Sequence, residues 1–515
     1  MVNITVNGQK VCAQSGITIL QAAKLVGIDI PTLCDHPALT PVGACRICVV
    51  EVKGQRTLIT ACTFPITEGM EVQTESPQVV KARKLILDLL FSERNHYCPF
   101  CEASGNCELQ NLGYRYGVDH WVYDTFTKGF PIDASHEYLF IEHNRCVLCS
   151  RCLRGCSELV ANHTLGLGSR GKKSMVVYDT NVPWGDSSCI SCGTCQQLCP
   201  TGAIFNKRTS FMGRDDQIER IKSTCSKCSV GCGIEIVTRG GNLLAVIGDW
   251  DSDVSHGLLC KSGRFRSIYD ERRRITGPLL RRNGRLGPAS WDEALQAVSD
   301  RIKQAEFKNM GILTSSEATN EAFYLLDELF AKELKVRNVG LLNAAVPDIP
   351  AKSKGLLKDI GASDMIIVAG ADPVNNQPVA AFLIKRAVDK GVRLVVVNDT
   401  DNGLDPFAFT NLPLADMGKA LELAARAENP VVLYGASITK QALAVMEKIG
   451  DKAAFIALEE GVNTRAAVAF GLNNGFDTAD IKVLYLLAGE ENIKDRQILE
   501  RIDKDAFVTV QASFS

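Results

Sequence analysis

Eight cysteines between residues 146 and 199 fall into two runs with the same spacing. Each run has the form Cys-x2-Cys-x2-Cys-x3-Cys, and Pro200 follows the second run directly. Spacing of this kind is typical of proteins that hold two [4Fe–4S] clusters, where the last cysteine of each run binds the other cluster. The two predicted ligand sets are Cys146, Cys149, Cys152 and Cys199, and Cys156, Cys189, Cys192 and Cys195.

A further group of thiols follows a strand and helix pattern at the N-terminus. Residues 2–6 and 10–12 are predicted strands joined by Asn7-Gly8, a strong hairpin signal, and residues 18–26 are a predicted helix. These elements indicate a small β-grasp domain. Its thiols predict one [2Fe–2S] cluster on Cys34, Cys45, Cys48 and Cys62. Cys12 has no partner, and we expect it to be a small buried hydrophobic residue.

A histidine precedes the third group of thiols, after an amphipathic helix predicted over residues 79–91. Histidine donates a neutral nitrogen, so it raises the potential of a cluster relative to four thiolates, as in Rieske centres. The pattern predicts a [4Fe–4S] cluster on His96, Cys98, Cys101 and Cys107.

The fourth group has the form Cys-x2-Cys-x3-Cys-x27-Cys and surrounds two short predicted strands, at 234–237 and 243–247. A small β-subdomain with one more [4Fe–4S] cluster is the simplest account of this pattern. Its ligands would be Cys225, Cys228, Cys232 and Cys260.

Zinc is the alternative metal at three of these places. Structural zinc favours two separated cysteine pairs, which the dense double run does not provide. A single zinc ion on the four N-terminal cysteines, or on His96 with its three thiols, remains an open alternative from the residues alone.

Composition and charge argue against a nucleic-acid-binding protein, a disulfide-bonded protein and a membrane-inserted protein. The chain has 515 residues, a formal net charge of −2 and 20 cysteines, of which only Cys12 lies outside the four groups. The charge excludes a nucleic-acid footprint, and thiols grouped in fours favour soft metals over disulfides. With no signal peptide and no apolar segment of about 20 residues, we expect a cytoplasmic protein without direct membrane insertion.

The pattern changes after residue 270. A capping box, Ser290-x2-Glu293, opens a helix, and predicted strands then alternate with helices. The strands are expected near 311–313, 365–369, 393–397, 431–434 and 482–487, and the helices near 317–334, 378–389, 417–427 and 437–449. Alternation of this kind predicts a doubly wound parallel sheet. There is no Gly-x-Gly-x-x-Gly motif and no P-loop, so we expect a scaffold or docking surface.

The predicted fold class is α+β multidomain. Its expected parts are a β-grasp [2Fe–2S] domain at 1–78, a one-His-three-Cys segment at 79–137, a two-cluster ferredoxin at 138–215, a [4Fe–4S] subdomain at 216–270 and an α/β domain at 271–515.

This order of sites resembles the large iron–sulfur subunit of respiratory complex I. It is also similar to the related subunits of soluble NAD-linked hydrogenases, formate dehydrogenases and electron-bifurcating transhydrogenases. Complex I subunits generally read His-x3-Cys at the second site, whereas this chain reads His96-x-Cys98, the form of the soluble hydrogenase and formate dehydrogenase group. The resemblance therefore favours a soluble complex.

From residue 220 the chain resembles molybdopterin oxidoreductases, in the segments 260–265, 278–279 and 370–373. Active members would present a cysteine or selenocysteine near Leu342-Asn343-Ala344-Ala345, and none is present. The closing C-terminal barrel is also not found before Ser515. The resemblance thus implies a truncated α/β domain, and no molybdopterin is expected.

The resemblance implies an electron-transfer subunit of an NAD(P)H-linked oxidoreductase complex of the electron-bifurcating type, with no catalytic residue of its own. Expected partners are a flavoprotein that binds FMN and NAD(P), a small thioredoxin-like [2Fe–2S] subunit, and ferredoxin. The alternatives are a catalytic or electron-input subunit of an NAD-dependent formate dehydrogenase, and a peripheral-arm subunit of complex I.

Overall fold

The computed structural model contains two compact units. The first comprises Met1–Ser223, Ile234–Asp251 and His256–Ile268, and the second comprises Thr224–Gly233, Ser252–Ser255 and Tyr269–Ser515. Residues 1–123, 129–342, 345–349, 354–473, 475–489 and 500–514 are described. Among them, no helix combines the length and the apolar character that a bilayer span requires.

The first unit begins with five strands and one helix: β1 Val2–Val6, β2 Gln9–Ala13, α1 Ile19–Leu25, β3 Val49–Val52, β4 Ile59–Thr60 and β5 Glu71–Gln73. The strands form one sheet in the order β2-β1-β5-β3-β4. Strand β1 runs antiparallel to β2 and parallel to β5. This mixed sheet, with the buried residues of α1 in the same core, agrees with the predicted β-grasp domain.

Local sequence signals fix the hairpin and the helix. Asn7 and Gly8 both have positive φ angles, 50° and 82°, as a two-residue hairpin loop requires. At the start of α1, the Thr18 hydroxyl accepts a hydrogen bond from the Gln21 N–H, and the Gln21 side chain accepts one from the Thr18 N–H. This capping box satisfies two donors that the helix itself leaves free.

The prediction for Cys12 was wrong, because its side chain is exposed. Successive side chains of a strand point to opposite faces, and Val11 and Ala13 occupy the buried face of β2. Strand β2 is also an edge strand. Cys12 therefore faces away from the core.

Two helices follow the β-grasp domain: α2 Pro77–Glu93 and α3 Glu108–Arg115. Ser76 caps α2, with Pro77 at its first position, where a missing N–H costs nothing. Buried side chains of both helices share one core with the cysteine loops, including Leu87, Leu109 and Cys34. The apolar face of α2 thus supports loops that carry predicted metal ligands.

The segment that contains the two cysteine runs is built from short elements: β6 Ile132–Asp133, β7 Leu139–Glu142, α4 Arg151–Arg154, β8 Leu165–Gly168, β9 Met175–Tyr178, α5 Thr194–Leu198 and β10 Ile204–Asn206. The sheet order is β10-β7-β6, and β8 pairs with β9 as a separate hairpin. A π-helical turn, Gly155–Leu159, continues α4. Each run is therefore a loop that enters a very short helix.

The next strands are β11 Glu219–Thr224, β12 Gly233–Arg239 and β13 Asn242–Gly248, followed by the one-turn helix α6 Ser267–Tyr269. The strands form a sheet in the order β11-β12-β13. Gly240 and Gly241, both with positive φ, make the turn between β12 and β13. The two strands predicted around these glycines are thereby confirmed.

The second unit contains the remaining elements: β14 Leu279–Arg282, β15 Arg285–Pro288, α7 Trp291–Gln304, β16 Met310–Thr314, α8 Asn320–Leu326, β17 Val339–Leu341, β18 Met365–Ala369, α9 Pro373–Asn376, α10 Pro378–Asp389, β19 Arg393–Val397, β20 Thr410–Leu412, α11 Met417–Ala425, β21 Pro430–Tyr434, α12 Lys440–Met446, β22 Ala454–Ala457, α13 Thr464–Ala469, β23 Val483–Leu487 and β24 Phe507–Gln511. The capping box of Ser290 and Glu293 opens α7 as predicted.

The predicted single parallel sheet is corrected to two. One sheet has the order β17-β16-β23-β24 and the other β20-β19-β18-β21-β22, and all of their strand pairs are parallel. The division arises because β16 pairs with β17 and β23, and not with β18. Strands β16, β18 and β21 are buried along their whole length, as strands covered on both faces must be.

Helix α2 offers a direct test of how far the cysteine loops depend on its apolar face. We expect Leu87→Ala, at a fully buried position, to cost about 2–5 kcal/mol of local stability, because lost transfer energy adds to a cavity. Leu85→Ala, on the half-exposed side of the same helix, should cost less than about 0.5 kcal/mol. Native-state hydrogen exchange of the α2 amides measures both variants. Equal losses would contradict this account of the packing.

Candidate functional site

The four N-terminal cysteines predicted to hold a [2Fe–2S] cluster are all buried and lie together. The Sγ atoms of Cys48 and Cys62 are 3.3 Å apart, and the Cys45 N–H donates to Cys34 Sγ over 3.5 Å. Hydrogen bonds from the thiols of Cys45 and Cys62 lower the pKa of Cys34. The structure thus brings all four predicted ligands into one group.

The loop around this group has the backbone shape that close wrapping requires. Gly43 and Arg46 have positive φ angles of 62°. A Cβ atom at Gly43 would also lie 3.3 Å from Thr63 Cγ2. A larger residue there would therefore combine an unfavourable positive φ angle with a close steric contact. Backbone N–H groups of Ala44 and Cys45 favour the thiolate form of Cys34.

The first cysteine set of the double run lines a single cavity. Most of the other lining side chains are apolar, among them Ile141, Leu153 and Val176. All four predicted ligands are present, although Cys199 is far from the others in sequence: Cys146, Cys149, Cys152 and Cys199. An apolar wall keeps water from a bound group and strengthens electrostatic interactions within the cavity.

The second set lines another cavity. Its four predicted ligands are Cys156, Cys189, Cys192 and Cys195. Trp184 also lines this cavity and is almost fully buried, and burial raises the pKa of the Cys189 thiol. Each of these two cavities is thus lined by one of the two predicted ligand sets.

The two runs repeat the same local backbone geometry. Leu148 and Ser150 have positive φ angles of 52° and 57°, and the equivalent residues Ser191 and Gly193 have 57° and 69°. In each run the N–H two residues after the first cysteine donates to its Sγ over 3.4 Å. Left-handed non-glycine residues are strained, and such strain persists where the surroundings demand it. Here the left-handed backbone directs the N–H groups of Leu148 and Ser191 towards the sulfur atoms of Cys146 and Cys189.

Burial sets the protonation of these thiols. Desolvation raises the pKa of Cys146 and of Cys156 to about 11, and that of Cys152 and Cys195 still further. Burial disfavours the charged form, so each thiolate needs a nearby cation to form at neutral pH. A metal ion or cluster supplies that charge, since a coordinating thiol is deprotonated outright.

His96 lines a third cavity together with three thiols: Cys98, Cys101 and Cys107. Its Nε2 atom is buried and has no hydrogen-bond partner, while the backbone of Leu90 hydrogen-bonds to the imidazole. Burial lowers the pKa of His96 to about 4, so the ring is neutral at pH 7. A neutral imidazole with a free buried nitrogen is suited to bind a metal.

Gly202 is a residue of this third site that sequence reasoning missed. A Cβ atom there would lie 2.6 Å from Cys101 Sγ and 2.9 Å from Ala103 Cβ. Only glycine allows the backbone after the second run to approach the thiol so closely. Its place three residues after Cys199 was the available signal.

The last predicted set is divided between the two units. Cys225, Cys228 and Cys232 belong to the second unit and Cys260 to the first, so this set stays a prediction. Within the second unit, the Cys225 N–H donates to the Cys232 carbonyl over 2.8 Å. Gly231, with a φ of 63°, forms the tight turn between Cys228 and Cys232.

No group of three or more His, Cys, Asp or Glu side chains in the described ranges is arranged to hold a single metal ion. In three of the sets the four predicted ligands instead stand around a shared cavity. In the second unit, the position expected for a molybdenum ligand falls on Leu342–Ala345, of which residues 343 and 344 lie outside the described residues.

Five family models match consecutive parts of the chain. Their descriptions are "2Fe-2S iron-sulfur cluster binding domain" for residues 1–77, "NADH-ubiquinone oxidoreductase-G iron-sulfur binding region" for 83–121, "4Fe-4S dicluster domain" for 143–203, "Molybdopterin oxidoreductase Fe4S4 domain" for 218–269 and "Molybdopterin oxidoreductase" for 274–515. They confirm the predicted presence of a 2Fe-2S domain, 4Fe-4S domains and a molybdopterin oxidoreductase region.

Known relatives are subunits of oxidoreductase complexes. An NADH-quinone oxidoreductase subunit of Rhizobium meliloti is 31% identical over 82% of this chain and 51% of its own length. The mitochondrial NADH-ubiquinone oxidoreductase 78 kDa subunit of Candida albicans is 28% identical over 99% of this chain and 74% of its own length.

A solved NAD+-reducing [NiFe]-hydrogenase in the H2-reduced state shares 35% identity over 41% of this chain and 90% of the hydrogenase chain, with a TM-score of 0.39. The chain spans about half the length of several of the curated relatives that it matches.

The free nitrogen of His96 can be tested by substitution. We expect His96→Ala to remove about four iron atoms per chain, because three thiols remain where four ligands are needed. His96→Cys should keep the iron and lower the potential of that cluster, since a thiolate adds negative charge. The measurements are iron content and EPR-monitored redox titration.

The matched control is His120→Ala, an exposed histidine of the same segment, which should change neither quantity. Unchanged iron content in His96→Ala would remove His96 from the ligand set.

Proposed function

Because the chain belongs to the iron–sulfur proteins of the NADH-quinone oxidoreductase type, with a molybdopterin oxidoreductase region, we propose that it is an electron-transfer subunit with five iron–sulfur clusters. The observation that carries the proposal is the grouping of ligands. Three sets of four predicted ligands each line one cavity. In the N-terminal set, the Cys45 N–H donates to Cys34 Sγ, and the Sγ atoms of Cys48 and Cys62 are 3.3 Å apart.

The proposed ligands follow the four cysteine groups. One [2Fe–2S] cluster would be held by Cys34, Cys45, Cys48 and Cys62. Four [4Fe–4S] clusters would be held by His96, Cys98, Cys101 and Cys107; by Cys146, Cys149, Cys152 and Cys199; by Cys156, Cys189, Cys192 and Cys195; and by Cys225, Cys228, Cys232 and Cys260. When bound, such clusters supply one-electron redox chemistry.

The residues of this chain would set the reduction potentials of the clusters. The N–H groups of Leu148 and Ser191 donate to ligand sulfurs, and hydrogen bonds to sulfur are among the factors that set cluster potentials. The apolar walls around Cys149 and Cys195 limit solvent access, a second such factor. At the third site the neutral imidazole of His96 contributes no negative charge.

A molybdenum centre does not fit the residues of the second unit. The sequence has no cysteine after Cys260 and no histidine after His256, so the α/β part of this unit, residues 269–515, supplies no thiolate for the metal. The buried carboxylate of Glu459 is already engaged, because it pairs with Arg465 at 2.5 Å and accepts the Val346 N–H at 2.9 Å. The proposal therefore assigns the second unit a scaffold role, without molybdopterin.

The partners follow from the kind of complex. We propose a flavoprotein that binds FMN and NAD(P), a small thioredoxin-like [2Fe–2S] subunit, and ferredoxin as the second electron carrier. In this cytoplasmic complex, the two electrons of one donor would be divided between NAD(P)+ and ferredoxin by electron bifurcation. The relatives named as NADH-quinone oxidoreductase subunits favour a second candidate, a peripheral arm that delivers electrons to quinone.

Metal content tests the first part of the proposal. The complex, purified without oxygen, should contain about 18 iron atoms for this chain, from one two-iron and four four-iron clusters, beyond those of its partners. Molybdenum and tungsten should be absent. Elemental analysis of the complex gives both numbers, and molybdenum or tungsten at one atom per chain would exclude the scaffold role of the second unit.

Electron acceptors separate the two candidate complexes. A bifurcating complex should reduce or oxidise ferredoxin in strict proportion to NAD(P)H turnover, and should not reduce quinone. A peripheral arm should retain NADH oxidation with quinone as acceptor in its membrane-bound form. Quinone reduction without any ferredoxin dependence would replace the first candidate with the second.

A further inference from the structure

Arg154 and Arg264, like Arg94, are arginines of the first unit that are buried beside the proposed clusters without a carboxylate partner. Arg154 is 7% exposed and Arg264 is 2% exposed, and neither forms an ion pair with any described residue. By contrast, the equally buried Arg83 and Arg151 pair with Glu75 and Glu108, at 2.8 and 2.6 Å. A buried charge without a counter-charge is costly, so these two cations need an anion.

Arg154 joins the loops of two different proposed clusters. It lies between Cys152 and Cys156, yet its guanidinium donates to the main-chain carbonyls of Cys34 and of Thr40, the latter over 2.6 Å. The Nη2 atom of Arg154, which donates to the Cys34 carbonyl, is also 3.5 Å from the Cys149 carbonyl oxygen. The Arg154 Nε atom is buried without a partner. The Arg154 guanidinium therefore lies between the loop of the predicted [2Fe–2S] ligands and the loop of the first cysteine run, whose predicted ligand set begins with Cys146 and is called the Cys146 set.

Arg264 occupies an equivalent place beside the second run. Four residues after Cys260, its Nε donates to the Cys192 carbonyl over 2.7 Å, and its Nη2 donates to Gln197 Oε1 over 2.8 Å. The run is shaped around it, because a Cβ atom at Gly193 would lie only 2.2 Å from Arg264 Cδ. Burial lowers the pKa of Arg264, and the neighbouring Cys192, Cys195 and Cys260 oppose that shift.

We propose that Arg154 and Arg264 are positioning residues that act as fixed counter-cations to the clusters on either side of them. Four thiolates leave a bound cluster with net negative charge, and reduction adds another negative charge. A buried cation nearby stabilises the reduced form more than the oxidised form, so it raises the potential of that cluster. Each cation in turn receives the counter-charge that no carboxylate provides. This inference rests on the proposed function.

The test replaces each arginine in the whole complex. Arg154→Gln should lower the potentials of the clusters on the Cys34 and Cys146 sets, and Arg264→Gln that of the Cys189 set. We expect about a tenfold change in each reduction constant, which is about 59 mV for a one-electron couple. Arg154→Lys and Arg264→Lys keep the charge and should keep most of the potential. EPR-monitored redox titration follows each cluster separately.

Arg56→Gln is the matched control, because it removes one exposed positive charge from the same unit. Potentials in the glutamine variants that equal those of the Arg56 variant would overturn the inference. So would lysine variants that shift as far as the glutamine variants, because the hydrogen-bond geometry and not the charge would then matter.

Iron content covers the case in which a glutamine variant loses its clusters. Retention of iron by the lysine variant would then support the need for charge, and loss in both variants would overturn it. The unmodified complex separates this inference from the proposed function. If it lacks the five EPR signals or the iron, the proposed function fails first; if it has them, only the role of the arginines is at issue.

Discussion

The first unit depends on one electrostatic constraint, which is the burial of thiols whose useful form is charged. Desolvation raises the pKa of Cys149 and Cys152, and neighbouring thiols raise it further. A cation removes both penalties at once, because it neutralises several thiolates that would otherwise repel one another. Metal binding and the packing of these loops are therefore coupled, since the cavities that the thiols line are stable in charged form only around a metal.

This constraint explains why the ligands lie on loops and very short helices. A regular helix directs its N–H groups at its own carbonyls, whereas the left-handed residues Leu148 and Ser191 free their N–H groups for sulfur. Regular elements give rigidity from outside, as α2 does through Leu87. Arg154 and Arg264 tie neighbouring loops together through main-chain carbonyls, so the distances between sites are held by charged hydrogen bonds and not by secondary structure.

The grouping of these thiols around shared cavities could be predicted from sequence, because the spacing of a cluster motif is local; the clusters that they would bind stay a prediction. The pairing of Cys199 with Cys146 followed from the same rule, although the two are far apart in sequence. Contacts without a spacing rule could not be predicted, such as that of Arg154 with the Cys34 carbonyl or of Gly202 with Cys101. The exposure of Cys12 and the division into two parallel sheets depend on which strands become neighbours. The hydrophobic periodicity of the sequence does not specify that pairing.

The second unit has the framework of an open parallel α/β domain, and the end of its strand β22 has partners within the protein. In open parallel sheets ligands bind beyond the carboxyl ends of the strands. At the end of β22, burial raises the pKa of Glu459, and the Arg465 guanidinium opposes that shift. The Gln377 amide and the Ser229 hydroxyl donate to the Glu459 carbonyl at 2.7 and 2.6 Å. Because this strand end already has protein partners for its charge and for its carbonyl, it can remain folded without a ligand to complete it.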